Sequence, residues 1–303
     1  MNKIIRPGDI SPDDLTQGNM MEDSLSSAGR YFRAGQYRLL LTGTTHVMGI
    51  LNVTPDSFSD GGAWQSVESA VGKALEMERA GATMIDVGGE STRPGHTPVS
   101  AHEEEQRVLP VVEALARVLR VPISIDTSKS QVAKKAIAAG ASVINDVWGA
   151  RRDPDIASVA AETGAGLILM FNMTDPARII EDEDIVNRAM AYLSESLRIA
   201  RARGVPEESL MVDPGIGFGM DTKGSLDLIR GLPRLGSLGY PILVGPSRKR
   251  FIGQILDRTV DERMIGTIAV CCAATGLGAH AVRVHDVEEV AEAMRMMDAV
   301  RFA

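Results

Sequence analysis

Eight short apolar runs, separated by segments of helical periodicity, constrain the fold of this 303-residue chain more than any other feature. The runs lie at residues 47–51, 83–87, 122–126, 142–146, 166–171, 209–213, 241–245 and 280–284. Between them, segments such as VESAVGKALEMERAG space their apolar residues three and four apart, as an amphipathic helix does. Strands that alternate with helices form right-handed parallel βαβ units. Eight such units predict an α/β fold, a single (β/α)8 TIM barrel, because a doubly wound sheet usually has fewer strands.

Residues 1–45 precede this repeat and are predicted to be a short N-terminal extension, with residues 46–303 forming the barrel. The run YRLLLTGTTHVMG is a candidate for a short hairpin that closes the bottom of the barrel. No linker rich in proline, glycine or serine divides the repeat, so we expect one domain.

Composition limits the classes of partner. Hydrophobic residues make up 44% and charged residues 24% of the chain, as in ordinary soluble globular proteins. A net charge of −8 disfavours a broad surface for phosphate backbones, so nucleic acid is not an expected partner. The N-terminal sequence lacks the apolar core of a signal peptide, and no run reaches the ~18 apolar residues of a membrane span. We therefore expect a cytoplasmic protein without a membrane partner.

Polar residues finish nearly every predicted strand. In a (β/α)8 barrel the active site lies at the carboxyl ends of the strands, so these residues would share one mouth. An Asp or Asn at a strand end can instead cap the following helix, which leaves two interpretations for each residue alone. Eight polar strand ends that converge favour an active site over caps alone. The residues are Asn52, Asp86, Asp126, Asn145, Asn172, Asp213, Ser247 with Lys249, and Arg283 with His285.

Two long glycine-rich loops follow the first two strands, NVTPDSFSDGG at 52–62 and GGESTRPGHTPVS at 88–100. Glycines permit unusual backbone angles, and the guanidinium of Arg93 matches phosphate oxygens. This composition predicts a lid over an anionic group. A later segment, VGPSRKRFIG, places several cations at a predicted helix start, where backbone N–H groups also favour an anion. A solvated basic surface remains the alternative for that segment.

Seven motifs occur in a fixed order, each at a strand end: MGILNVTPDSFSDGG, DVGGESTRPG, SIDTSK, INDV, DPGIGFG, SRK and RVHDV. On these motifs, residues from about 46 to 300 resemble the dihydropteroate synthase family of pterin-binding barrels. The resemblance implies a transferase of folate biosynthesis with Mg²⁺ as cofactor. Its small-molecule substrates would be p-aminobenzoate and 6-hydroxymethyl-7,8-dihydropterin diphosphate, and its products 7,8-dihydropteroate and diphosphate.

The resemblance also implies a role for individual residues. The residues expected to bind the pterin are Asp126, Asn145, Asp213, Lys249 and Arg283, and all but Asn145 are expected to act in catalysis. The diphosphate would be held by Asn52, Arg93 and His285, with Asn52 as the protein ligand of Mg²⁺. The aminobenzoate slot would be lined by Thr92, Pro94 and Phe218, and the lid completed by Asp56, Ser57 and Ser91. Sulfonamides would compete for this slot.

The segment TIAVCCAATGLGA, at 267–279, is nearly all small or apolar. We expect a buried helix there that reaches the interface of a homodimer.

Several positions depart from the family pattern. LMFNMTDPARII replaces a Met-His-Met type segment after the fifth strand, Met220 replaces a lysine, and Ser225 replaces an asparagine. These departures keep open an alternative, a non-catalytic or altered-specificity pterin-binding paralogue. A pterin-dependent corrinoid methyltransferase is a further alternative, but it has no diphosphate to hold, so Arg93 and the NVTPDSF loop weigh against it.

Overall fold

The computed structural model describes residues 4–5, 30–53, 63–90, 99–175 and 184–302. Its strands are β1 (Ile4–Ile5), β2 (Tyr31–Ala34), β3 (Tyr37–Leu40), β4 (His46–Asn52), β5 (Met84–Gly88), β6 (Ile123–Asp126), β7 (Val143–Asp146), β8 (Gly166–Met170), β9 (Leu210–Asp213), β10 (Leu243–Val244) and β11 (Ala281–Val284). Its α-helices are α1 (Ala63–Arg79), α2 (Ala101–Ala116), α3 (Ser130–Ala138), α4 (Asp155–Thr163), α5 (Ile185–Ala202), α6 (Thr222–Arg230), α7 (Leu232–Leu235), α8 (Arg250–Leu256), α9 (Met264–Gly276) and α10 (Val287–Phe302).

Strands β4 to β11 form one parallel sheet that closes on itself. Neighbouring strands pair in chain order from β4 to β9, and the last strand, β11, pairs with both β10 and β4. A parallel bridge between Val212 and Ile242 joins β9 to the residue before β10 and completes the circle. The predicted (β/α)8 TIM barrel is therefore confirmed, and all eight predicted strands are present.

The seventh barrel strand is much shorter than the sequence pattern predicted. Residues 241–245 read as a strand, but only Leu243 and Val244 have strand geometry. Pro241 lacks an N–H group and cannot donate to a ladder, although its carbonyl accepts from Val212 N at 2.9 Å. The chain therefore leaves the sheet almost at once, and the residues after Val244 are available to form the mouth of the barrel.

The bottom of the barrel is covered by the antiparallel hairpin of β2 and β3. Its two-residue turn places Gly35 at a φ of 60°, which glycine adopts at little cost. Phe32 and Leu39 are fully buried. They join a cluster with interior residues of the barrel strands, namely Met48, Met84, Val143, Ile168, Met211, Leu243 and Ala281. A Cβ on Gly166 would lie 2.6 Å from Phe32 Cζ, so only glycine at the start of β8 admits this ring.

The hairpin uses a different pairing from the one predicted. The sequence suggested a hairpin within residues 37–49, but Tyr37–Leu40 pairs backwards with Tyr31–Ala34. His46 then begins the first barrel strand, and its Nε2 lies 2.7 Å from the carbonyl oxygen of Leu40. The positive-φ turn at Gly35 is the local signal for this pairing.

The helices cover the outside of the barrel, each with one buried face. Helix α2, for example, begins where Ser100 Oγ accepts from Glu103 N at 3.2 Å and buries Val108, Val112 and Leu115. No helix within the described residues is long and apolar enough to cross a membrane.

Candidate active site

Arg283 joins two carboxylates at the upper end of the barrel interior. Its Nε donates to Asp86 Oδ2 at 2.6 Å, and its Nη2 donates to Asp126 Oδ2 at 2.7 Å. Asp86 is fully buried and Asp126 is 8% exposed. The three residues come from β5, β6 and β11, so only closure of the barrel brings them together.

Asn145 and Asp213 extend this array on two further strands. Asn145 Nδ2 donates to Asp86 Oδ2 at 3.1 Å, so Asp86 accepts from both an amide and a guanidinium. Asp213 Oδ1 accepts from Gly215 N at 2.7 Å and lies within the electrostatic range of Lys249 and Arg283. The array thus presents carboxylate acceptors and cationic donors within one polar patch.

Among the described residues, this patch brings together three carboxyl groups, those of Asp86, Asp126 and Asp213, and two cations, Lys249 and Arg283. Burial, opposed by the charge of Arg283 and reinforced by that of Asp86, raises the pKa of Asp126 to about 7. Burial also raises the pKa of Asp213 above its usual range. These shifts leave Asp126 able to exist with or without a proton near neutral pH.

The pKa values of the two cations, Lys249 and Arg283, shift in opposite directions. Burial lowers the pKa of Lys249 to about 8, although the charge of Asp213 opposes the change. Burial by itself would lower the pKa of Arg283, but the charges of Asp86 and Asp126 raise it above the usual value. Arg283 therefore remains a fixed cation, whereas Lys249 can lose its proton at mildly alkaline pH.

Lys249 precedes α8 and crosses the loop that follows β9. Its Nζ donates to the carbonyl oxygen of Ile216 and lies 4.4 Å from the centroid of the Phe218 ring. A Cβ on Gly217, whose φ is 82°, would lie 2.7 Å from Lys249 Cδ. Gly217 of the DPGIGFG motif therefore leaves room for the aliphatic part of the Lys249 side chain. The same motif places Phe218 beside the ammonium group.

Asn52 and His285 lie at the rim of the same mouth. Asn52 ends β4 with an exposed side chain, and His285 Nδ1 lies 2.9 Å from Ser247 Oγ. A Cβ on Gly88 would lie 3.6 Å from Asp126 Cβ and 3.8 Å from Asn52 Oδ1, so Asn52 at the rim and Asp126 in the buried array both lie beside this glycine. Within the described residues, no group of three or more His, Cys, Asp or Glu side chains is arranged to hold a metal ion.

Six predicted site residues lie outside the described residues. They are Asp56, Ser57, Ser91, Thr92, Arg93 and Pro94. Their roles in a lid, a diphosphate site and an aminobenzoate slot remain predictions.

Asp86 lies at the centre of the array, a role that the sequence motifs do not predict. The motifs place Asp86 at a polar strand end without a role of its own. Its Oδ2 accepts from Arg283 and Asn145, while its Oδ1 is buried without a hydrogen-bond partner among the described residues. The only signal in the sequence is its place near the end of the predicted strand 83–87.

The two polar residues at the end of β7 have different partners, and neither caps the following helix, whose N-cap is Pro154. Asp146 Oδ1 and Oδ2 accept from the backbone N–H groups of Trp148 and Ala150 at 2.9 and 2.6 Å. Asn145 instead bonds across the barrel to Asp86. Because successive side chains of a strand point to opposite faces, adjacent polar residues take these two different roles.

The departures from the family pattern pack into the protein framework. Phe171 stacks edge-on against Tyr192, with ring centroids 5.3 Å apart. Asn172 holds its own loop, because its Oδ1 accepts from Thr174 N at 3.0 Å and its Nδ2 donates to Val147 O at 3.2 Å. Met220 packs against the hydrophobic core.

Fold and site together define a (β/α)8 barrel enzyme of the pterin-binding class, and the family described as pterin binding enzyme matches residues 48–285. A dihydropteroate synthase of Bacillus subtilis is 49% identical over 256 residues, which cover 84% of this chain and 88% of that protein. The chain belongs to the dihydropteroate synthase family.

Solved structures agree with this assignment. A Clostridium difficile dihydropteroate synthase in the presence of pteroic acid superposes with a TM-score of 0.82 at 44% identity, covering 86% of this chain and 98% of that one. A Xanthomonas albilineans dihydropteroate synthase with 4-aminobenzoic acid has a TM-score of 0.84 at 39% identity, covering 91% and 99%.

Proposed function

We propose that this chain condenses p-aminobenzoate with 6-hydroxymethyl-7,8-dihydropterin diphosphate, giving 7,8-dihydropteroate and diphosphate in folate biosynthesis. The observation that carries the proposal is the buried array in which Arg283 bridges Asp86 and Asp126. Such an array offers acceptors and donors to a flat, polar heterocycle at the mouth of an enzyme barrel.

The array supports recognition of the pterin ring by Asp126, Asn145, Asp213, Lys249 and Arg283. Carboxylates such as Asp126 would accept from the exocyclic amine and ring N–H groups, and Lys249 would donate to the ring carbonyl. The planar guanidinium of Arg283, fixed by two carboxylates, would stack on the ring face. Leaving one of these buried partners unpaired would cost about 1–3 kcal/mol, which makes the array selective.

In the reaction, the C–O bond of the pterin methylene group breaks and its electron pair leaves with diphosphate. The aminobenzoate nitrogen then bonds to the methylene carbon and loses a proton. Since diphosphate leaves a resonance-stabilised cation, no covalent enzyme nucleophile is needed. The protein's task is to hold the two reactants in line and to stabilise the leaving group.

Diphosphate would be held at the rim by Asn52, His285 and Arg93. Mg²⁺ usually takes one or two protein oxygens together with substrate phosphates, so the exposed amide of Asn52 fits an ion that arrives with the diphosphate. When bound, Mg²⁺ neutralises charge on the leaving group. Asn52 would orient the group, and His285 would be fixed against it by Ser247.

Phe218 supports an aminobenzoate slot beside Lys249, because its ring packs 4.4 Å from the ammonium group. Thr92 and Pro94 would complete the slot when Asp56, Ser57 and Ser91 close the lid around diphosphate. Sulfonamides, which mimic aminobenzoate, would compete in this slot.

The test is formation of dihydropteroate from the two purified substrates with Mg²⁺ and no corrinoid protein. We expect turnover by the wild-type protein, a loss of at least about 100-fold in Lys249→Met, and wild-type rates in Lys134→Met, an exposed lysine on α3. Pterin binding without turnover in the wild type would favour the non-catalytic paralogue. Turnover only with a corrinoid protein and a methyl donor would favour the methyltransferase.

We also propose a homodimer that buries the outer faces of α9 and α10. Ile265 on α9 is 75% exposed, and Met296 and Val300 on α10 are 65% and 69% exposed. Large apolar side chains exposed on neighbouring helices are typical of an interface. Sedimentation should show a dimer that Ile265→Asp converts to a monomer, whereas Val118→Asp, at a 42% exposed valine beyond α2, should leave it dimeric. A wild-type monomer at micromolar concentration would refute the proposal.

A further inference from the structure

Arg248 has a backbone conformation that few residues with a side chain adopt. Its φ is 54°, whereas the next residue, Lys249, has a φ of −68°. Positive φ values in residues other than glycine persist only where surrounding contacts enforce them, and they cluster at functional sites. The turn lies directly between Ser247 and Lys249, two residues of the mouth.

Helix α9 and Arg263, the residue just before it, enforce this conformation through both main-chain groups of Arg248. The N–H group donates to Thr267 Oγ1 at 3.0 Å, and the carbonyl oxygen accepts from Arg263 Nη1, also at 3.0 Å. Thr267 is fully buried, so this anchor is part of the packed helix. The left-handed turn is therefore held by groups outside the site.

The side chain of Arg248 crosses to the loop after β11. Its Nε donates to Asp286 Oδ2 at 3.0 Å, and its Nη2 donates to Asp286 Oδ1, which makes the pair bidentate. Asp286 is only 12% exposed in this pair. A bidentate arginine–carboxylate pair fixes geometry better than a single ion pair does. Asp261 adds a weaker, solvent-exposed contact at 3.6 Å.

A second contact ties the same two loops one residue earlier on each side. Ser247 Oγ lies 2.9 Å from His285 Nδ1 and accepts from His285 N at 3.1 Å. Two adjacent residue pairs, Ser247 with His285 and Arg248 with Asp286, therefore join the loop that carries Lys249 to the loop that follows Arg283 and β11. Rotation of one loop without the other would break both contacts.

We propose that Arg248 is a positioning residue for the pterin diphosphate: its enforced left-handed turn aims Lys249, and its pair with Asp286 fixes His285. The inference rests on the proposed function and deepens it. Arg248 touches neither substrate. Asp286 compensates a guanidinium placed just before a helix N-terminus, where a cation is otherwise disfavoured. Lys249 and His285 are thereby set relative to each other before substrate binds.

The experiment compares Arg248→Ala, Arg248→Lys and Asp286→Asn with the control Arg203→Ala. Arg203 also pairs with an aspartate, Asp155, at 2.9 Å, but far along the chain on an exposed surface. We expect kcat/KM for the pterin diphosphate to fall by about 10- to 100-fold in Arg248→Ala, with a much smaller change in KM for aminobenzoate. Methylguanidinium should partly restore Arg248→Ala, and Arg203→Ala should match the wild type.

Two further measurements distinguish a positioning role of Arg248 from a simple loss of stability and from a failure of the proposed function. In calorimetry, Mg²⁺ with inorganic diphosphate should bind at least about 10-fold more weakly to Arg248→Ala than to wild type, because His285 is displaced. The weaker diphosphate binding is expected even if the wild-type protein shows no turnover. Equal diphosphate affinity in the two proteins, or a rate loss that methylguanidinium does not reverse and that equally affects both substrates, would overturn the inference. Failure of wild-type turnover alone would count against the proposed function only.

Discussion

Replacing Asp126 with asparagine should weaken pterin binding in a way that depends on pH. The carboxylate accepts from Arg283 at 2.7 Å and would accept from pterin N–H groups, whereas an amide offers one acceptor and no charge. Losing such an interaction costs about 1–3 kcal/mol, which corresponds to roughly 10- to 100-fold in the dissociation constant. Because burial raises the pKa of Asp126 to about 7, this full difference is expected only at pH 8.

At lower pH the wild-type carboxyl group becomes protonated and resembles the amide. The ratio of the two dissociation constants should therefore shrink towards one as the pH falls from 8 to 5. Isothermal titration calorimetry with the pterin diphosphate, in the absence of aminobenzoate, measures this ratio directly. The matched control is Asp155→Asn, at an exposed aspartate on α4.

The raised pKa of Asp126 also predicts how the free energy of unfolding of the ligand-free protein changes with pH. The folded-state pKa of about 7 lies above the ordinary aspartate pKa of 3.8, so between these values only the folded state keeps the proton. Stability from this group is fully present below about pH 4 and is lost as the pH rises through 7, by about 4 kcal/mol at most. Asp126→Asn lacks the titrating group and has no such loss. The free energy of unfolding in urea should therefore increase in the variant relative to the wild type as the pH rises.

Two results would refute this reasoning. A pterin affinity unchanged at pH 8 would mean that Asp126 does not contact the pterin. A ratio of dissociation constants that is the same at pH 5 and pH 8 would mean that the carboxyl group does not titrate near 7 in the free protein.

Three further predictions concern the other groups of the site. Pterin affinity should fall as the pH rises through the Lys249 pKa of about 8, and Lys249→Met should abolish this alkaline limb; a limb that survives in the variant would assign it elsewhere. Asp86→Asn should lower kcat/KM for the pterin diphosphate by about 10-fold through Arg283, and unchanged kinetics would exclude that role. Aminobenzoate should bind weakly to the free protein and much more tightly with Mg²⁺, diphosphate and a pterin present, and equal calorimetric affinities would remove the lid hypothesis.

The sequence was sufficient to predict the barrel and most of the residues at its mouth. Apolar runs alternating with helical segments have few packing solutions, and eight of them favour a closed barrel. Since carboxyl ends of parallel strands share one edge, Asp126, Asn145, Asp213 and Arg283 could be assigned to one site from their positions alone. The family motifs then gave these residues a chemistry.

Local pairing was less well determined. Leu40 pairs back towards Tyr31 rather than forward into residues 41–49, and β10 has only two residues. A strand's partner depends on competing contacts far along the chain, such as Phe32 against Gly166, and these are not encoded in a local pattern.

What the sequence determined by itself was the order of strands, the edge of the barrel that carries polar groups, and the family. Only the tertiary structure decided which polar groups meet: that Asp86 organises Arg283, that Asp146 holds the turn after β7 while Asn145 bonds to Asp86, and that Arg248 ties two loops together. The reason is physical. A pattern of residue types fixes which face a side chain occupies. Hydrogen-bond partners and pKa values depend instead on distances of a few ångströms between residues such as Asp86 and Arg283, which are 197 positions apart, and those distances exist only once the barrel has closed.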